Sequence, residues 1–158
     1  MIIGNGDIAS VIPDDRKLWF ASGVSNSLET DEKEYQRELE LLLSQNKTQH
    51  IIYFSSLAVF YSDTRYTRHK RDMEAMIKVN FPRYTIIRLG NITWGDNPHT
   101  LINYLRAHPE AEIKEEYRYI IDKEEFLHWL SLIPDWSCEM NCPGRMIKVK
   151  QIKEEYCA

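Results

Sequence analysis

The feature that most constrains the fold is the apolar run IIYF at residues 51–54, which is followed at once by the polar Ser55 and Ser56. A short unbroken apolar run of this kind is typical of a parallel strand buried on both faces. A second run, TIIRL at residues 85–89, is followed by Gly90 and Asn91. The carboxyl ends of parallel strands meet at one edge of the sheet, where open α/β folds bind ligands. We therefore expect a site at this edge.

Short apolar runs alternate with amphipathic segments along the whole chain, which is the pattern of an α/β protein. The predicted strands are residues 1–3, 17–21, 50–54, 84–89, 118–121 and 145–149, and the predicted helices are residues 6–12, 31–45, 66–80, 98–107 and 122–132. In the second helix, Tyr35, Leu39 and Leu42 are predicted to face the sheet and the acidic residues to form a solvated face. A chain of 158 residues with 43% hydrophobic content suits one domain, residues 1–158, with a mostly parallel sheet and helices on both faces.

Tyr66 and Lys70 are the candidate catalytic pair. A tyrosine one helical turn before a lysine lies on the same face of the helix, so the ammonium is expected to lower the pKa of the phenol. The hydroxyl of Ser56, at the end of a strand, could then hold the substrate oxygen whose proton Tyr66 transfers. Such a Tyr-Lys spacing is common on solvated helix surfaces, and the neighbouring strand end gives it weight.

A glycine turn, GNGDIA at residues 4–9, follows the first predicted strand and leads into a predicted helix. A GxGxxA turn of this kind can cradle a pyrophosphate, because its glycines allow a tight turn and a close approach of the backbone to the phosphates. Asp7 is unfavourable beside a phosphate unless its carboxylate points away.

Several motifs taken together resemble the extended short-chain dehydrogenase/reductase family of NAD-dependent epimerases and dehydratases. They are FSSLAV at residues 54–59, Tyr66, Lys70, RLGN at residues 88–91, and Gly95. The segment RYIID at residues 118–122 resembles a late strand-to-helix segment of that family. The matches occur in the family's order and cover most of the chain.

The resemblance implies a Rossmann-like fold, NAD or NADP as the cofactor, and a small-molecule substrate such as a nucleotide sugar or a related alcohol or carbonyl compound. It implies that Tyr66 is the general acid/base, that Lys70 lowers the pKa of Tyr66 and holds the nicotinamide ribose, and that Ser56 orients the substrate. The cofactor-binding residues would be Gly4, Asn5, Gly6, Asp7, Ile8, Ala21, Ser22, Gly23 and Lys70, and the substrate-binding residues would be Ser56 and Asn91.

The chain departs from the family in two places. Two strand-helix units are missing after the glycine turn, so the strand at 17–21 resembles the fourth strand of the usual sheet, although by chain order it could be the second. Neither reading supplies a ribose-binding carboxylate, since Glu29 falls in a loop or helix start. Ser56 precedes Tyr66 by only ten positions, and a slip of one residue would put Leu57 in place of the serine, with Ser55 a poor substitute because neighbouring strand residues face opposite sides.

Other polar and aromatic residues have two interpretations each. Asn91 could bind a sugar hydroxyl or phosphate, or it could cap the turn at Gly90. Trp94 could stack on a base, although packing is favoured. The cations Arg65, Arg68, Lys70 and Arg71 could contact substrate phosphates, or they could form an exposed helix face.

Composition excludes several classes of protein. A net charge of −4 argues against a nucleic-acid surface, and no stretch approaches the about 20 apolar residues of a membrane span. The amino terminus lacks a basic flank and a long apolar region, which favours a cytoplasmic location. The histidine spacing predicts no metal site. The three cysteines favour reduced thiols, with a disulfide between Cys138 and Cys142 as the alternative.

The sequence leaves two main kinds of function open. The first is an NAD(P)-dependent oxidoreductase or epimerase, and the second is a catalytically silent nucleotide-binding or regulatory protein of the same fold. A third possibility is that the protein is a purely structural partner of a larger enzyme. A sheet that lacks strands leaves an exposed edge, which proteins usually cover or pair, so we expect a homo-oligomer.

Overall fold

The computed structural model describes residues 1–157. In chain order, the elements of this part are β1 (Ile2–Ile3), β2 (Leu18–Phe20), α1 (Glu32–Leu43), β3 (Ile51–Ser56), a 3₁₀ turn (Leu57–Phe60), α2 (Arg65–Asn80), β4 (Tyr84–Leu89), β5 (Asn91–Ile92), α3 (Leu101–Ala107), β6 (Tyr117–Ile121), α4 (Lys123–Ser131), β7 (Cys138–Cys142), β8 (Arg145–Lys148) and α5 (Val149–Tyr156).

The main sheet has five strands in the order β1-β2-β3-β4-β7, and every neighbouring pair is parallel. Strands β3 and β4 pair along their whole length, from Ile51 opposite Tyr84 to Ser56 opposite Leu89. Their carboxyl ends therefore lie side by side. The sequence prediction of a mostly parallel α/β sheet is confirmed.

Side chains alternate between the two faces of this sheet, and each face packs against helices. On one face Leu18, Phe20 and Tyr53 join a core with residues of α1 and α2. On the other face Trp19 and Phe54 join a core with residues of α4. The predicted arrangement of helices on both faces is confirmed, because each apolar strand buries both rows of its side chains.

The strand order identifies which part of a Rossmann sheet is present. A complete sheet of this type has the order 3-2-1-4-5-6. The consecutive run β1-β2-β3-β4 corresponds to strands 1-4-5-6 of that order. If β2 were instead the second strand of the full sheet, only one further strand, the third, could follow it on that side, whereas the structure has three. The predicted shortening is therefore present, and β2 is equivalent to the fourth strand.

A second sheet has the order β5-β6-β8, with β6 parallel to β5 and antiparallel to β8. Its strand β6 packs through Ile120 against α3 and α5, in a separate core with Leu105 and Ile152. The predicted strands at 118–121 and 145–149 thus belong to this smaller sheet. The fifth strand of the main sheet is β7, and neither β7 nor α5 was predicted from the sequence.

The helix predicted at residues 6–12 is wrong, since this stretch forms turns. Only single-turn hydrogen bonds form, from the Ser10 amide to the Gly6 carbonyl at 3.0 Å and from the Val11 amide to the Ile8 carbonyl at 3.2 Å. Pro13 follows directly, and a proline both lacks a donor and disfavours helical backbone at the residue before it. The glycine turn therefore leads into one helical turn and no helix.

We expect the protein to form a homo-oligomer in solution, because β1 is an edge strand with open backbone groups and Ile2 and Ile3 are only half-buried. Small-angle scattering at micromolar concentration should give a mass that is a multiple of the chain's 18.8 kDa. A clean monomer mass under these conditions would contradict the expectation.

Candidate active site

A cavity of about 970 Å³ opens at the carboxyl edge of the main sheet. Most of the residues predicted to form the site line this one cavity; these are Asn5, Gly6, Asp7, Ile8, Ala21, Ser22, Gly23, Ser56, Tyr66, Lys70 and Asn91. Gly4 does not line it: its φ of +121° shapes the turn, and a side chain there would strike the Ala21 carbonyl. The structure thus brings the candidate residues together although they span much of the chain.

Ser56 is the hydroxyl residue that the strand end presents to the cavity. Its oxygen accepts a hydrogen bond from the Ala58 amide at 3.1 Å and so caps the 3₁₀ turn, which leaves the hydroxyl proton for a ligand. Ser55 is buried and donates to Glu74 at 2.6 Å. Leu57 is buried as well. Ser55 also borders the cavity, but its hydroxyl proton is already donated to Glu74. The register with Ser56 is therefore the one that leaves a hydroxyl proton for a ligand.

Helix α2 positions Tyr66 and Lys70 on the cavity wall. A capping box between Thr64 and Thr67 fixes the first turn of this helix, and Tyr66 lies in that turn. The Lys70 ammonium lies one turn later, with its Nζ 5.6 Å from the centre of the Tyr66 ring. The sequence spacing thus produces the expected proximity of the two side chains.

The expected lowering of the Tyr66 pKa is not found in the protein alone. Burial raises the pKa of Tyr66, Lys70 opposes this only in part, and the negative charge of Glu38 adds to the increase. Tyr66 is therefore a phenol, a proton donor, in the free protein near neutral pH.

Lys70 is held by a buried carboxylate that the sequence analysis assigned to a solvated helix face. Its Nζ lies 3.4 Å from Glu38 Oε1 and 3.1 Å from the Tyr53 hydroxyl, and the Glu38 side chain is 0% exposed. Burial alone would raise the pKa of Glu38, but the Lys70 charge, the nearby His69 ring and a hydrogen bond from Tyr53 lower it to about 2. The prediction of a solvated face is thus wrong for Glu38, which remains ionised.

Gly23 has a specific reason to be a glycine. A Cβ at this position would lie 2.7 Å from Lys70 Nζ and 3.2 Å from Glu38 Oε1. The next residue, Val24, donates its backbone amide to Glu38 Oε1 at 2.6 Å. The segment at residues 21–23, which is predicted to bind the cofactor, therefore also covers the ion pair of Glu38 and Lys70.

The glycine turn presents open backbone to the cavity. A side chain at Gly6 would meet nothing within 4 Å, so a ligand can approach the main chain there. Within residues 1–157, no protein acceptor takes the amide hydrogens of Gly6, Asp7 or Ile8. These donors could serve an anion, with less help from a helix dipole than a full helix would give.

Asp7 turns its carboxylate away from the glycine turn and toward the loop at residues 94–97. Its two oxygens accept the backbone amides of Asp96 at 3.1 Å and Asn97 at 3.0 Å, and its carbonyl accepts the indole N–H of Trp94 at 3.1 Å. The predicted conflict with a phosphate is relieved, since the charge is already hydrogen-bonded elsewhere. Asp7 therefore acts as a clamp, because its hydrogen bonds hold the glycine turn against the loop at residues 94–97.

Asn91 lies in β5 rather than in a capping turn. Its Nδ2 donates to the Tyr119 carbonyl at 2.9 Å, which orients the amide at the cavity wall and leaves its oxygen to accept from a ligand. Trp94 packs against Phe126 with ring centres 5.1 Å apart. The packing interpretation of Trp94 is confirmed.

The arginines next to Tyr66 in sequence do not line the cavity, although Lys70 does. For the arginines, the interpretation of an exposed helix face is favoured over contact with a phosphate. Arg65 pairs with Glu32 at 2.6 Å, Arg68 lies 3.8 Å from Asp63, and Arg71 donates to the Val59 carbonyl at 2.7 Å. Their helix faces turn them toward α1 and toward the loop before α2.

Two other arginines do line the cavity. Arg37 of α1 donates to the Ser22 carbonyl at 3.0 Å, and Arg118 of β6 pairs with Glu116 at 2.8 Å. Arg118 lies in the segment that carries the family resemblance. No sequence signal marks Arg37, because its place depends on how α1 packs against residues 21–24.

The remaining expectations concern metals, cysteines and membranes. In residues 1–157 no three His, Cys, Asp or Glu residues cluster as metal ligands, and no helix is both long and apolar enough to cross a bilayer.

The thiols of Cys138 and Cys142 are free. These residues end the same extended strand, about 13 Å apart, so the alternative of a disulfide between them is excluded.

Gly95→Ala should destabilise the protein, by about 2 kcal/mol or more. Gly95 has a φ of +92°, and a Cβ there would lie 2.0 Å from Asp7 Cγ, so an alanine would break the clamp. Gly6→Ala is the matched control, because its Cβ would enter open space. Urea unfolding of both variants measures the difference, and equal stability would contradict the proposed clamp.

No protein-family model and no curated protein sequence matches the chain, but solved structures share its fold. The Bordetella bronchiseptica enzyme WbmG in complex with NAD matches with a TM-score of 0.65 and 13% identity, over 90% of this chain and 56% of that one. The UDP-N-acetylglucosamine 4-epimerase of Methanobrevibacter ruminantium M1 matches with a TM-score of 0.61 and 16% identity, over 95% and 62%. The UDP-glucose 4-epimerase of Thermotoga maritima, solved with UDP-glucose, matches with a TM-score of 0.65 and 14% identity, over 88% and 60%.

The chain thus spans about three fifths of the length of these solved structures. At such low identity the likeness extends to the fold and no further. The fold that the sequence resemblance implied, a shortened Rossmann-like fold with a mostly parallel sheet, is confirmed.

Proposed function

We propose that the protein is an NAD(P)-dependent oxidoreductase, or an epimerase or dehydratase, that acts on a nucleotide sugar or a related alcohol or carbonyl compound. The observation that carries the proposal is that Ser56, Tyr66, Lys70 and the glycine turn line one cavity at the carboxyl edge of the sheet. Among the structures that share this fold, WbmG was solved with NAD and with NAD and UDP, and the Thermotoga maritima epimerase was solved with UDP-glucose. The cavity volume of about 970 Å³ lies at the upper end of the range of ligand pockets.

In this proposal Tyr66 transfers the proton and Ser56 holds the reacting oxygen. The Ser56 hydroxyl donates to the substrate oxygen and fixes its position near the phenol. Tyr66 protonates a carbonyl oxygen during reduction and removes the proton from an alcohol in the opposite direction. Lys70, which lies one turn along α2, lowers the cost of forming the phenolate.

The residues present fit the nicotinamide half of a dinucleotide. The open backbone at Gly6 can receive a phosphate, and Lys70 uses two of its three donors on Glu38 and Tyr53, which leaves one for a ribose hydroxyl. Arg37 lines the same cavity and can offset phosphate charge. A nicotinamide cofactor bound here would exchange a hydride with the substrate carbon.

The adenosine half has fewer partners. The main sheet ends at β1, so the strand that normally closes with a ribose-binding carboxylate has no counterpart in the described chain. Adenosine would extend past the sheet edge, and its affinity would depend on the neighbouring loops or on a second subunit.

A catalytically silent nucleotide-binding or regulatory protein is the second candidate, and the missing sheet half favours it. The two candidates differ in one respect that the structure makes testable. An enzyme needs the Tyr66 hydroxyl for turnover, whereas a binding protein needs only the cavity.

Tyr66→Phe should reduce turnover at least about 100-fold with little change in folding, because one hydroxyl that transfers the proton is lost. The assay uses a panel of UDP- and dTDP-sugars, and it follows nicotinamide absorbance for net oxidation or reduction and separates the sugar products by chromatography for epimerisation or dehydration. Tyr61→Phe is the control, since this exposed phenol lines the same cavity. Retained activity in Tyr66→Phe would rule out the mechanism.

Calorimetric titration with NAD, NADH, NADP, NADPH and ADP-ribose tests the cofactor. We expect one of the dinucleotides to bind with micromolar affinity and ADP-ribose to bind more weakly, because the donors of the site lie at the nicotinamide end. Gly6→Val should weaken the binding by filling the open backbone position. Failure of a folded sample to bind any of the four dinucleotides would favour the catalytically silent alternative.

A further inference from the structure

We propose that Glu38 is a positioning residue of the active site, which fixes the Lys70 ammonium beside Tyr66 and offsets its charge at the phenol. This inference rests on the proposed function, because it takes Tyr66 and Lys70 as the acid/base pair. It adds a residue from α1 to a site otherwise built from β3 and α2.

Glu38 has the contacts of an anchored carboxylate. Its oxygens receive the Val24 amide at 2.6 Å and the Tyr53 hydroxyl, and they lie 3.2 Å from His69 Nε2 and 3.4 Å from Lys70 Nζ. The partners come from the segment after β2, from β3 and from α2. Because these partners fix the position of the Glu38 carboxylate from three sides, the carboxylate determines where the Lys70 ammonium lies.

The pair is deeply buried, since the Glu38 side chain is 0% exposed and that of Lys70 is 3% exposed. A buried charge without a partner is strongly unfavourable, and a buried pair remains charged only with good geometry and further hydrogen bonds. Tyr53 supplies one such bond to each partner. The Lys70 ammonium is thereby fixed at the wall of the cavity instead of sampling many rotamers.

The ionisable groups around Tyr66 come from three elements. Lys70 and His69 belong to α2, Glu38 and Tyr35 to α1, and Tyr53 to β3. Lys70 favours the phenolate and Glu38 opposes it. Because the two unit charges lie 3.4 Å apart, their effects on the phenol largely cancel and burial decides its state.

Glu38→Gln tests the proposal in the free protein. The amide keeps the shape of the side chain and its oxygen can still accept a hydrogen bond from Lys70 Nζ. It removes the negative charge that opposes the effect of Lys70 on Tyr66. We expect the midpoint of the Tyr66 titration to fall by about one pH unit or more. Carbon-13 NMR of the tyrosine Cζ atoms measures this midpoint, and Tyr66→Phe assigns the signal. An unchanged or higher midpoint in the folded variant would overturn the proposal.

Two further variants test the proposal if Glu38→Gln does not fold. Lys70→Met leaves only the carboxylate and should raise the Tyr66 midpoint, whereas the double variant Glu38→Gln/Lys70→Met leaves no buried charge and should return it close to the wild-type value. The double variant is expected to fold because a buried ion pair can be replaced without an unpaired charge. A Tyr66 midpoint that is the same in all three proteins would overturn the proposal.

The titration separates this proposal from the proposed function. A purely structural Glu38 would lower stability in its variants and leave the Tyr66 midpoint unchanged. Absence of dinucleotide binding in the wild-type protein would overturn the proposed enzyme, yet the titration needs no ligand and would still report on Glu38. If the protein does turn over a substrate, the acidic shift should also appear in the pH profile of kcat for Glu38→Gln.

Discussion

The ion pair between Glu38 and Lys70 is the interaction on which the geometry of the cavity depends. It connects α1 with α2, and it is closed from above by the backbone at Gly23 and Val24 and from the sheet side by Tyr53. Buried pairs add little net stability, but removing one partner leaves a charge without compensation, at a cost of about 3–5 kcal/mol. The pair therefore fixes α1, α2 and β3 relative to one another at the cavity, and its lysine is the one proposed for the active site.

The main elements of the fold could be predicted because their signals are local. Strands β3 and β4 are unbroken apolar runs, and α1 and α2 have clear starts at Asp31 and Thr64. Strand β7 was not predicted because it is a half-exposed edge strand in which polar Glu139 and Asn141 alternate with less polar residues. The helix predicted after the glycine turn was wrong for a different reason: the motif is typical of a helix start, but Pro13 prevents the helix from continuing.

The site was predictable to the extent that it follows from strand ends and helix spacing. Ser56 and Asn91 reach one cavity because the parallel strands β3 and β4 end at the same edge, and Tyr66 reaches it from the first turn of α2. Long-range packing decided the rest: the buried position of Glu38 and the role of Asp7 depend on segments that are distant in sequence, at Lys70 and at the loop after Trp94. Arg37 was missed for the same reason, whereas the nearby arginines of α2 were considered only because they are adjacent to Tyr66 in the chain.

The strand order of the main sheet has a consequence for how a dinucleotide-binding domain can be shortened. In the order 3-2-1-4-5-6, strands 2 and 3 lie together on one side of strand 1. Their removal takes away two neighbouring units and leaves every remaining strand beside the partner it had before, as β1 is here beside β2. The shortening therefore requires no new pairing and no change of register in the rest of the sheet. A sheet of this kind can lack strands 2 and 3 while the carboxyl ends of the other strands keep their relative positions.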